Sequence, residues 1–403
     1  MEKIILKSNK ILGLEKLNEL GFNVPEFDYI PDFSELDLTL TDINPYYPPK
    51  ELENLIKKKI EKINYQISGI TVRSASFDED NSEHSAAGRY LSFNGLISLS
   101  EIVTACMNIW QHHRQNSKGV KCPIIIQQTH PSFFSGVCFK DNETIVIESY
   151  YGACRNLVEG LIQPYTTIIK NNEIKHNYYP ENNFCRNFIT HTGLYKDKEF
   201  YTGKILSPKI DYFPNNCRVY AEINHKTIYT YGYRPPLPVK NYEEKIVPQL
   251  INISDALNSE KGVDIEWGSD ENGNVYLYQF RALTRKIEEL FSGEFDSNYV
   301  CDEKELIGIP TSKGCVNGII TSDQKNIKEN SILLLHQDYI EDVSILENVR
   351  GIISLTGGIL SHLSIMCRER GIPCIVSINK TIADGSAIVM DSNSGIIRLI
   401  KDY

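Results

Sequence analysis

Apolar and polar positions along the chain follow two periods, and each period predicts a different kind of element. The segments LEKLNEL, near the start, and YEEKIVPQLINISDALNSE, after residue 241, repeat their apolar positions at helical spacing. The segments KCPIIIQQ, TIVIES and NVYLYQFRAL have the apolar runs or the alternation of strands. The sequence therefore predicts an α/β (α+β) protein in which helices and strands are intermixed.

The middle and the later part of the chain indicate how it is divided. Residues 171–240 are polar, rich in asparagine and unusually rich in tyrosine, which favours strands over helices. The segment TRKIEELFSGEFDSNYVCDEKEL carries many charges and little apolar pattern. We interpret 287–303 as an interdomain linker, and we predict one domain over 1–286 and a compact second domain over 304–403.

The stretch LTGGILSHLSIMCRERGIPCIV predicts a strand, a glycine turn, a helix, a turn and a second strand. Gly357 and Gly358 remove side chains where a ligand could approach the backbone, and His362 falls in the first helical turn. The free N–H groups at a helix start suit a bound phosphate, and a neutral histidine there can attack phosphorus. The alternative is a helix capped by Ser361 whose histidine is satisfied by a neighbour. The glycine pair favours phosphate chemistry.

Composition narrows the class of protein further. The chain of 403 residues has 42 Lys and Arg against 52 Asp and Glu, and a net charge of −10 argues against a nucleic-acid partner. No apolar run reaches the length of a membrane span, and the N-terminus lacks a signal-peptide pattern, so we expect a cytoplasmic protein without a membrane partner. Ten cysteines without CxxC pairs predict reduced, buried thiols rather than a metal cage.

The glycine–histidine stretch resembles the TxGGxxSHxAI…RExGIP motif of the swivelling phosphohistidine domain in the phosphoenolpyruvate synthase and pyruvate phosphate dikinase superfamily. The matching residues are Thr356, Gly357, Gly358, Ser361, His362, Ile365, Arg368, Glu369, Gly371, Ile372 and Pro373. The flanks GIPTSKGCVNGII and DGSAIVMDSNSGIIRLI are similar to the opening and closing segments of that domain. The resemblance implies a small β/β/α domain in which His362 is the phosphoryl carrier.

The first 290 residues resemble the ATP-grasp domain of the same superfamily. The similar segments are KSNKILGLEKLNELGFNVPEF, VRSASFDEDNSEHSAAG and PIIIQQTHPSFFSGVCF. The resemblance implies that Lys10 and Arg73 contact the phosphates of ATP, that Gly88 and Ser92 lie on a phosphate-covering loop, and that Gln127 reads adenine. The alternatives are an ordinary charged turn after Arg73 and a solvated strand end at Gln127.

The segment GVDIEWGSDENGNVYLYQFRAL resembles the hairpin that carries the metal and phosphate groups of the family. Asp264 and Glu266 alternate on one strand, and Gln279 and Arg281 alternate on the next, so each pair points to one side. Hard oxygen ligands shared with nucleotide phosphates suit Mg²⁺. The resemblance implies that Glu266, Gln279 and Asp264 bind Mg²⁺ and that Arg281 contacts the phosphates. The alternative is a cross-strand salt bridge between Glu266 and Arg281.

Departures from the family pattern shape the predicted function. The glycines that usually surround the opening lysine are missing at Lys10, and no counterpart of the barrel that binds pyruvate or phosphoenolpyruvate follows Tyr403. Relatives without the barrel include rifamycin phosphotransferases, glucan dikinases and a glutamine amide kinase.

We therefore predict an ATP-dependent dikinase-type phosphotransferase that forms AMP and phosphate, phosphorylates His362 and passes the phosphoryl group to a small polar amide or hydroxyl acceptor. The alternatives are a subunit of a split phosphoenolpyruvate-synthase-like system, which needs a separate partner protein, and a non-catalytic nucleotide-responsive module. The sequence predicts no oligomeric state.

Overall fold

The structure is a computed structural model. It describes residues 7–36, 48–64, 69–78, 91–117, 119–130, 132, 134–141, 143–151, 154–158, 160, 164–170, 173–178, 189–190, 209–212, 217–223, 226–232, 240–257, 262–270, 272–283, 305–336, 340, 343–378 and 380–400. Gly88 and the predicted linker 287–303 lie outside these residues.

The structure contains six α-helices in its described residues. They are α1 (Asn9–Glu19), α2 (Lys50–Ile60), α3 (Leu99–Asn116), α4 (Cys154–Val158), α5 (Lys240–Ala256) and α6 (His362–Arg370), with 3₁₀ turns at Phe33–Glu35 and Val343–Glu347. Both predicted amphipathic helices are confirmed, as α1 and α5. None of the helices in the described ranges is long and apolar enough to cross a membrane.

The first two sheets are linked by Arg73, and the region around this link is termed the cleft. A four-stranded sheet has the order β1 (Phe27–Ile30), β4 (Ile124–Gln128), β2 (Ile70–Ser74), β3 (Ser92–Leu96). A six-stranded sheet has the order β14 (Val275–Ala282), β13 (Val263–Ser269), β5 (Phe134–Lys140), β6 (Thr144–Tyr151), β7 (Tyr165–Lys170), β8 (Glu173–Tyr178). The strands predicted from KCPIIIQQ, TIVIES and NVYLYQFRAL are β4, β6 and β14.

A smaller four-stranded sheet comes from the tyrosine-rich part of the chain, as predicted. Its order is β10 (Lys209–Tyr212), β11 (Cys217–Ile223), β12 (Lys226–Gly232), β9 (Ile189–Thr190). The C-terminal part forms an eight-stranded sheet with the order β15 (Glu305–Ile307), β22 (Ile396–Leu399), β21 (Ala387–Asp391), β17 (Cys315–Thr321), β18 (Ser331–Leu335), β19 (Gly351–Ser354), β20 (Cys374–Val376), β16 (Ile309–Ser312).

The predicted strand–turn–helix–turn–strand unit of the C-terminal part is confirmed. Helix α6 connects β19 and β20, which pair in parallel, so the unit is a βαβ crossover. Ser361 is the N-cap of α6, and its hydroxyl accepts the N–H of Ser364 at 3.3 Å. Gly371 ends the helix in the left-handed conformation with φ of 66°, which a glycine adopts without strain. His362 is therefore the first helical residue.

The hydrophobic interior is continuous between the six-stranded sheet and the turn that carries α6. One cluster of buried side chains contains Ile147 and Tyr165 of the six-stranded sheet together with Ile359, Leu360 and Leu363 of the C-terminal part. The C-terminal part therefore packs directly against the six-stranded sheet of the predicted ATP-binding domain. A second cluster of buried side chains lies under the four-stranded sheet of β1–β4 and includes Trp110.

Several cysteines in these cores have the predicted state. Cys138, Cys154, Cys367 and Cys374 are buried and free, whereas Cys315 is free but exposed, so the prediction of burial is wrong for that residue. Burial raises the pKa of Cys138 to about 12, which keeps that thiol protonated. These residues act as small apolar side chains.

Helix α3 allows a test of local stability, because a capping box starts it. The Ser98 hydroxyl accepts the N–H of Glu101 at 3.2 Å, and the Glu101 carboxylate accepts the N–H of Ser98 at 3.0 Å. We expect Ser98→Ala to lower the free energy of unfolding by about 1 kcal/mol. Urea unfolding followed by tryptophan fluorescence measures this, since Trp110 lies on the same helix. Ser100→Ala is the matched control, and an equal loss in that exposed position would contradict the capping account.

Candidate active site

The hairpin of β13 and β14 aligns the four side chains that the sequence selects there. The antiparallel register pairs Asp264 with Arg281 and Glu266 with Gln279, and a bulge follows Glu266. The predicted convergence of two carboxylates, an amide and a guanidinium on neighbouring strands is therefore present.

The ion pairs within this hairpin differ from the alternative considered for it. Arg281 Nε donates to Asp264 Oδ2 at 2.7 Å, because these residues lie directly opposite each other. Glu266 Oε2 instead accepts from Arg73 Nη2 at 3.3 Å. The expected alternative pair of Glu266 with Arg281 is thus replaced by two separate ion pairs.

Arg73 joins the two sheets that form the cleft. It lies on β2 of the four-stranded sheet, opposite Ser92 of β3. Its Nη2 donates to Gln279 Oε1 at 2.7 Å, and its Nη1 donates to the carbonyl of Tyr278 at 3.2 Å. A guanidinium is suited to this role because its planar fork can donate to several oxygens at once.

Lys10 reaches the same cluster from α1. The lysine is largely buried, with 9% of its surface exposed. Helix α1 packs closely on β14, since a Cβ on Gly13 would lie 3.1 Å from the carbonyl oxygen of Phe280. The charge of Lys10 acts on Glu266 and on His362.

The surrounding cations keep Glu266 ionised. Burial alone would raise the pKa of this carboxyl, but the charges of Arg73, Lys10 and Arg281 hold it below the ordinary value. The pKa of Asp264 is raised, chiefly by burial and against the influence of Arg281. The carboxylate of Asp264 is engaged by Arg281, so Glu266 is the carboxylate of the hairpin that faces Arg73.

His362 is brought to this cluster by the packing of the C-terminal part on the cleft. The imidazole is partly buried, and burial lowers its pKa to about 4. Glu266 opposes that change, whereas Arg281 and Lys10 add to it. At neutral pH the ring is uncharged, so a nitrogen lone pair is available for attack on an electrophile.

Not every predicted residue joins the cluster. Gln127 is buried on β4, and its side chain donates to the carbonyl of Pro25 at 3.4 Å, outside the cluster. Burial at 3% exposure excludes the solvated strand end considered as its alternative. Its contact with adenine stays a prediction.

The cleft residues fit a magnesium ion that shares its ligands with a nucleotide. In the described part of the chain no group of three or more His, Cys, Asp or Glu side chains is arranged as an all-protein metal site. Glu266 Oε2 and Gln279 Oε1, however, converge on the same nitrogen of Arg73. One carboxylate and one amide oxygen are a hard donor set of the kind Mg²⁺ takes together with phosphates. Asp264 Oδ2 is engaged by Arg281 instead.

Glu148 is a site residue that the sequence reasoning missed. It lies on β6, and both of its carboxylate oxygens accept backbone N–H groups from the turn before His362. The signal was present in the sequence as a single acidic residue inside the apolar strand TIVIES. A charge is almost never fully buried unless it has partners.

Comparison with known proteins agrees with these features. The family model for the AMP/ATP-binding domain of pyruvate phosphate dikinase matches residues 43–294, and the model for the mobile domain of PEP-utilising enzymes matches residues 327–395. The chain belongs to the pyruvate phosphate dikinase family. The predicted α/β (α+β) class is confirmed, and the match to an AMP/ATP-binding domain is followed along the chain by the match to a small mobile domain. The family uses ATP and Mg²⁺.

Individual relatives are similar over most of this chain. Phosphoenolpyruvate synthase of Aeropyrum pernix is 23% identical over 397 residues, which cover 88% of this chain and 47% of that protein. Rifampicin phosphotransferase of Bacillus cereus is 24% identical over 119 residues, or 28% of this chain and 14% of that protein. The chain spans about half the length of the phosphoenolpyruvate synthases it matches.

Among solved structures, D-alanyl-alanine synthetase A of Vibrio cholerae aligns with 68% of this chain and 55% of its own. The TM-score is 0.29 and the identity 12%. A TM-score this low does not establish a shared fold, and the family models carry the assignment.

The proton affinity of His362 is a direct test of the site. We expect the pKa of His362 to lie at about 4, measured by NMR of labelled histidine and assigned with His362→Asn. Glu266→Gln should lower that pKa further, and Arg281→Gln should raise it. Since an exposed histidine titrates near 6.5, the packed arrangement should lose stability as the pH falls from about 6.5 to about 4 and stay constant above that range. A wild-type pKa of about 6.5 would show that His362 does not lie at the cluster.

Proposed function

We propose that the protein is an ATP-dependent phosphotransferase that transfers a phosphoryl group from ATP to His362 and from there to an acceptor. The observation that carries this proposal is the presence of a neutral histidine, on the turn of a phosphohistidine-type domain, beside Glu266, Arg281 and Lys10. Membership in a family that binds AMP and ATP supports it.

The cleft residues divide the work of binding between them. Lys10, Arg73 and Arg281 would hold the phosphates of ATP, Gln127 would contact adenine, and Gly88 would lie on the loop that covers the phosphates. Ser92, which was predicted on that loop, is instead the first residue of β3 and lies opposite Arg73. Glu266 and Gln279 would hold Mg²⁺, which neutralises phosphate charge and polarises the phosphorus–oxygen bonds when bound. Asp264 orients Arg281 through its ion pair and so acts on the phosphates indirectly.

The chemistry then needs little beyond position and charge. A ring nitrogen of His362 forms a bond to the β-phosphorus as the bond to the α-phosphate oxygen breaks, and AMP leaves with the electron pair. Water cleaves the terminal phosphoryl group as inorganic phosphate. The sum is ATP, water and histidine giving AMP, phosphate and phosphohistidine, as the family resemblance implies. Burial of His362 favours the step, because a protonated ring has no free lone pair.

The second transfer requires a change of position. We place the domain boundaries at 1–286 and 304–403, with the segment 287–303 as the hinge on which the carrier domain turns. One histidine cannot lie at the cluster and at a distinct acceptor site at the same time. A small polar amide or hydroxyl compound is the acceptor class that we propose. Transfer to a separate partner protein that binds the acceptor is the competing outcome.

Isotope transfer tests the carrier assignment. We expect ATP labelled in the β-phosphate to leave acid-labile, alkali-stable label on the protein, because a phosphorus–nitrogen bond hydrolyses in acid. The His362→Asn variant should carry no label. His336→Asn is the matched control, since His336 is an exposed histidine of the same domain and should label like wild type. Equal labelling of His362→Asn and wild type would sink the assignment.

Removal of one oxygen ligand tests the proposed metal position. Glu266→Gln should reduce AMP formation by about 10²-fold or more and weaken its dependence on the Mg²⁺ concentration, because a charged hard ligand is lost. Titration of AMP formation against Mg²⁺ measures both effects. Glu143→Gln, at an exposed carboxylate in the connection between β5 and β6, should leave them unchanged. Full activity with an unchanged Mg²⁺ profile in Glu266→Gln would exclude Glu266 as a ligand.

A further inference from the structure

Glu148 has an unusual position for a charged residue. It lies on β6, in the interior of the six-stranded sheet, where it pairs with Val137 on one side and Thr166 on the other. None of its surface is exposed. A carboxylate taken fully out of water costs several kcal/mol unless hydrogen-bond donors replace the water. The question is therefore where the donors come from.

Most of the donors belong to the carrier domain. Glu148 Oε1 accepts the N–H of Ile359 at 2.6 Å, and Oε2 accepts the N–H of Leu360 at 2.9 Å. Its own sheet supplies the hydroxyl of Thr166 at 3.3 Å. The two short bonds connect residues 211 and 212 positions apart. The carboxylate is thus satisfied chiefly by the backbone that leads into His362.

The segment that leads into His362, residues 356–361, is called the carrier turn, and it leaves space for the Glu148 carboxylate. A Cβ on Gly358 would lie 2.5 Å from both oxygens of Glu148 and 2.6 Å from Cγ of Pro164. A side chain at this position would therefore collide with the ATP-binding part. The second glycine of the motif is needed for the approach of Glu148, in addition to any ligand.

The same turn is held from its other side by its own domain. Arg368 Nη1 donates to the carbonyl of Ile359 at 2.7 Å and to the carbonyl of Thr311 at 3.1 Å. The Ile359 residue is thus fixed at its N–H by Glu148 and at its carbonyl by Arg368. A neighbouring contact crosses the same interface, since the Thr356 hydroxyl donates to the carbonyl of Gly160 at 2.8 Å.

An ordinary structural role within the ATP-binding part accounts poorly for Glu148. With the carrier domain away, the carboxylate would keep only the weak Thr166 bond and would have to be satisfied by water. Burial raises its pKa to about 7, while the N–H groups of Leu360 and Ile359 act to lower it. Glu148 therefore depends on the N–H groups of the docked carrier turn to replace the water that burial removes.

We propose that Glu148 is the positioning residue that receives the carrier turn, binding the N–H groups of Ile359 and Leu360 and so placing the His362 ring at the nucleotide cleft. This inference rests on the proposed function of His362 as the carrier. Glu148 touches no reacting atom in this scheme. It acts through the carrier turn, which ends directly before the histidine, where a misplacement of about 1 Å would slow transfer about 10²-fold.

Two variants of Glu148 test the proposal in the full chain. Glu148→Gln keeps the shape but turns an NH₂ group toward one of the two N–H donors, and Glu148→Ala removes both acceptors. We expect both variants to phosphorylate His362 about 10²-fold more slowly in a single turnover. Affinity for the α,β-methylene analogue of ATP with Mg²⁺, measured by calorimetry, should stay at the wild-type value.

Hydrogen exchange provides a readout that does not depend on phosphoryl transfer. Without nucleotide, the amides of Ile359 and Leu360 should exchange faster in both Glu148 variants, whereas amides inside α6 should keep their protection. Thr166→Val is the matched control, because it removes only the donor from the same sheet, and both amides should stay protected. If the Glu148 variants fail to fold by circular dichroism, Gly358→Ala tests the contact from the carrier side and should expose the same two amides.

The results separate this proposal from the function on which it rests. Unlabelled His362 in wild type would overturn the carrier function, yet faster exchange at Ile359 and Leu360 in the variants would still establish the docking contact. Unchanged exchange at both amides in correctly folded Glu148→Gln and Glu148→Ala would overturn the docking role, even with His362 labelled in wild type. A loss of affinity for the ATP analogue in step with the lost transfer would also overturn it, because Glu148 would then act through the nucleotide site.

Discussion

The cleft depends on one guanidinium that crosses between two sheets. Arg73 extends from the four-stranded sheet to the hairpin of the six-stranded sheet, where it donates to Glu266, Gln279 and the carbonyl of Tyr278. A cation in this position lets a buried carboxylate stay ionised and holds two hard oxygens toward one point. The link between the two sheets and the ionised state of Glu266 depend on this contact, and so would the metal position proposed above.

Two other cations of the cluster help to determine the protonation state of His362. Arg281 and Lys10 act with burial to keep His362 neutral, while Glu266 alone of the cluster favours its protonation. The proposed nucleophilic ring and the proposed phosphate-binding cations would therefore be compatible in one cleft, because cations suppress the protonation that would block attack. Asp264 contributes at a distance from the ring by fixing Arg281.

Local patterns predicted most of the fold and the polar part of the cleft, but they did not predict how the two parts meet. Strand alternation was enough to predict that two pairs of side chains lie together, because alternate residues of a strand point to the same side. The observed register places Asp264 opposite Arg281 and Glu266 opposite Gln279. The choice of ion pairs was missed, since Arg73 enters from another sheet and has no sequence relation to Glu266. The contact of Glu148 with Ile359 joins residues 211 positions apart. Periodic patterns describe only near neighbours in the sequence, so they could not predict this contact. A lone glutamate within an apolar strand shows that a partner exists without showing which one.

A carboxylate at the docking contact would also suit an interface that opens, as the proposed second transfer requires. The interface already has an apolar component, since Ile359, Leu360 and Leu363 share one buried cluster with side chains of the six-stranded sheet. An apolar side chain in place of Glu148 would add attraction without fixing the turn, because the hydrophobic effect has no direction. A buried carboxylate regains its hydration when the domains separate, so its hydrogen bonds contribute far less to affinity than their number suggests. These hydrogen bonds therefore determine orientation more than affinity. The two N–H groups can meet the two carboxylate oxygens in only one orientation of the turn, and that orientation fixes the position of His362.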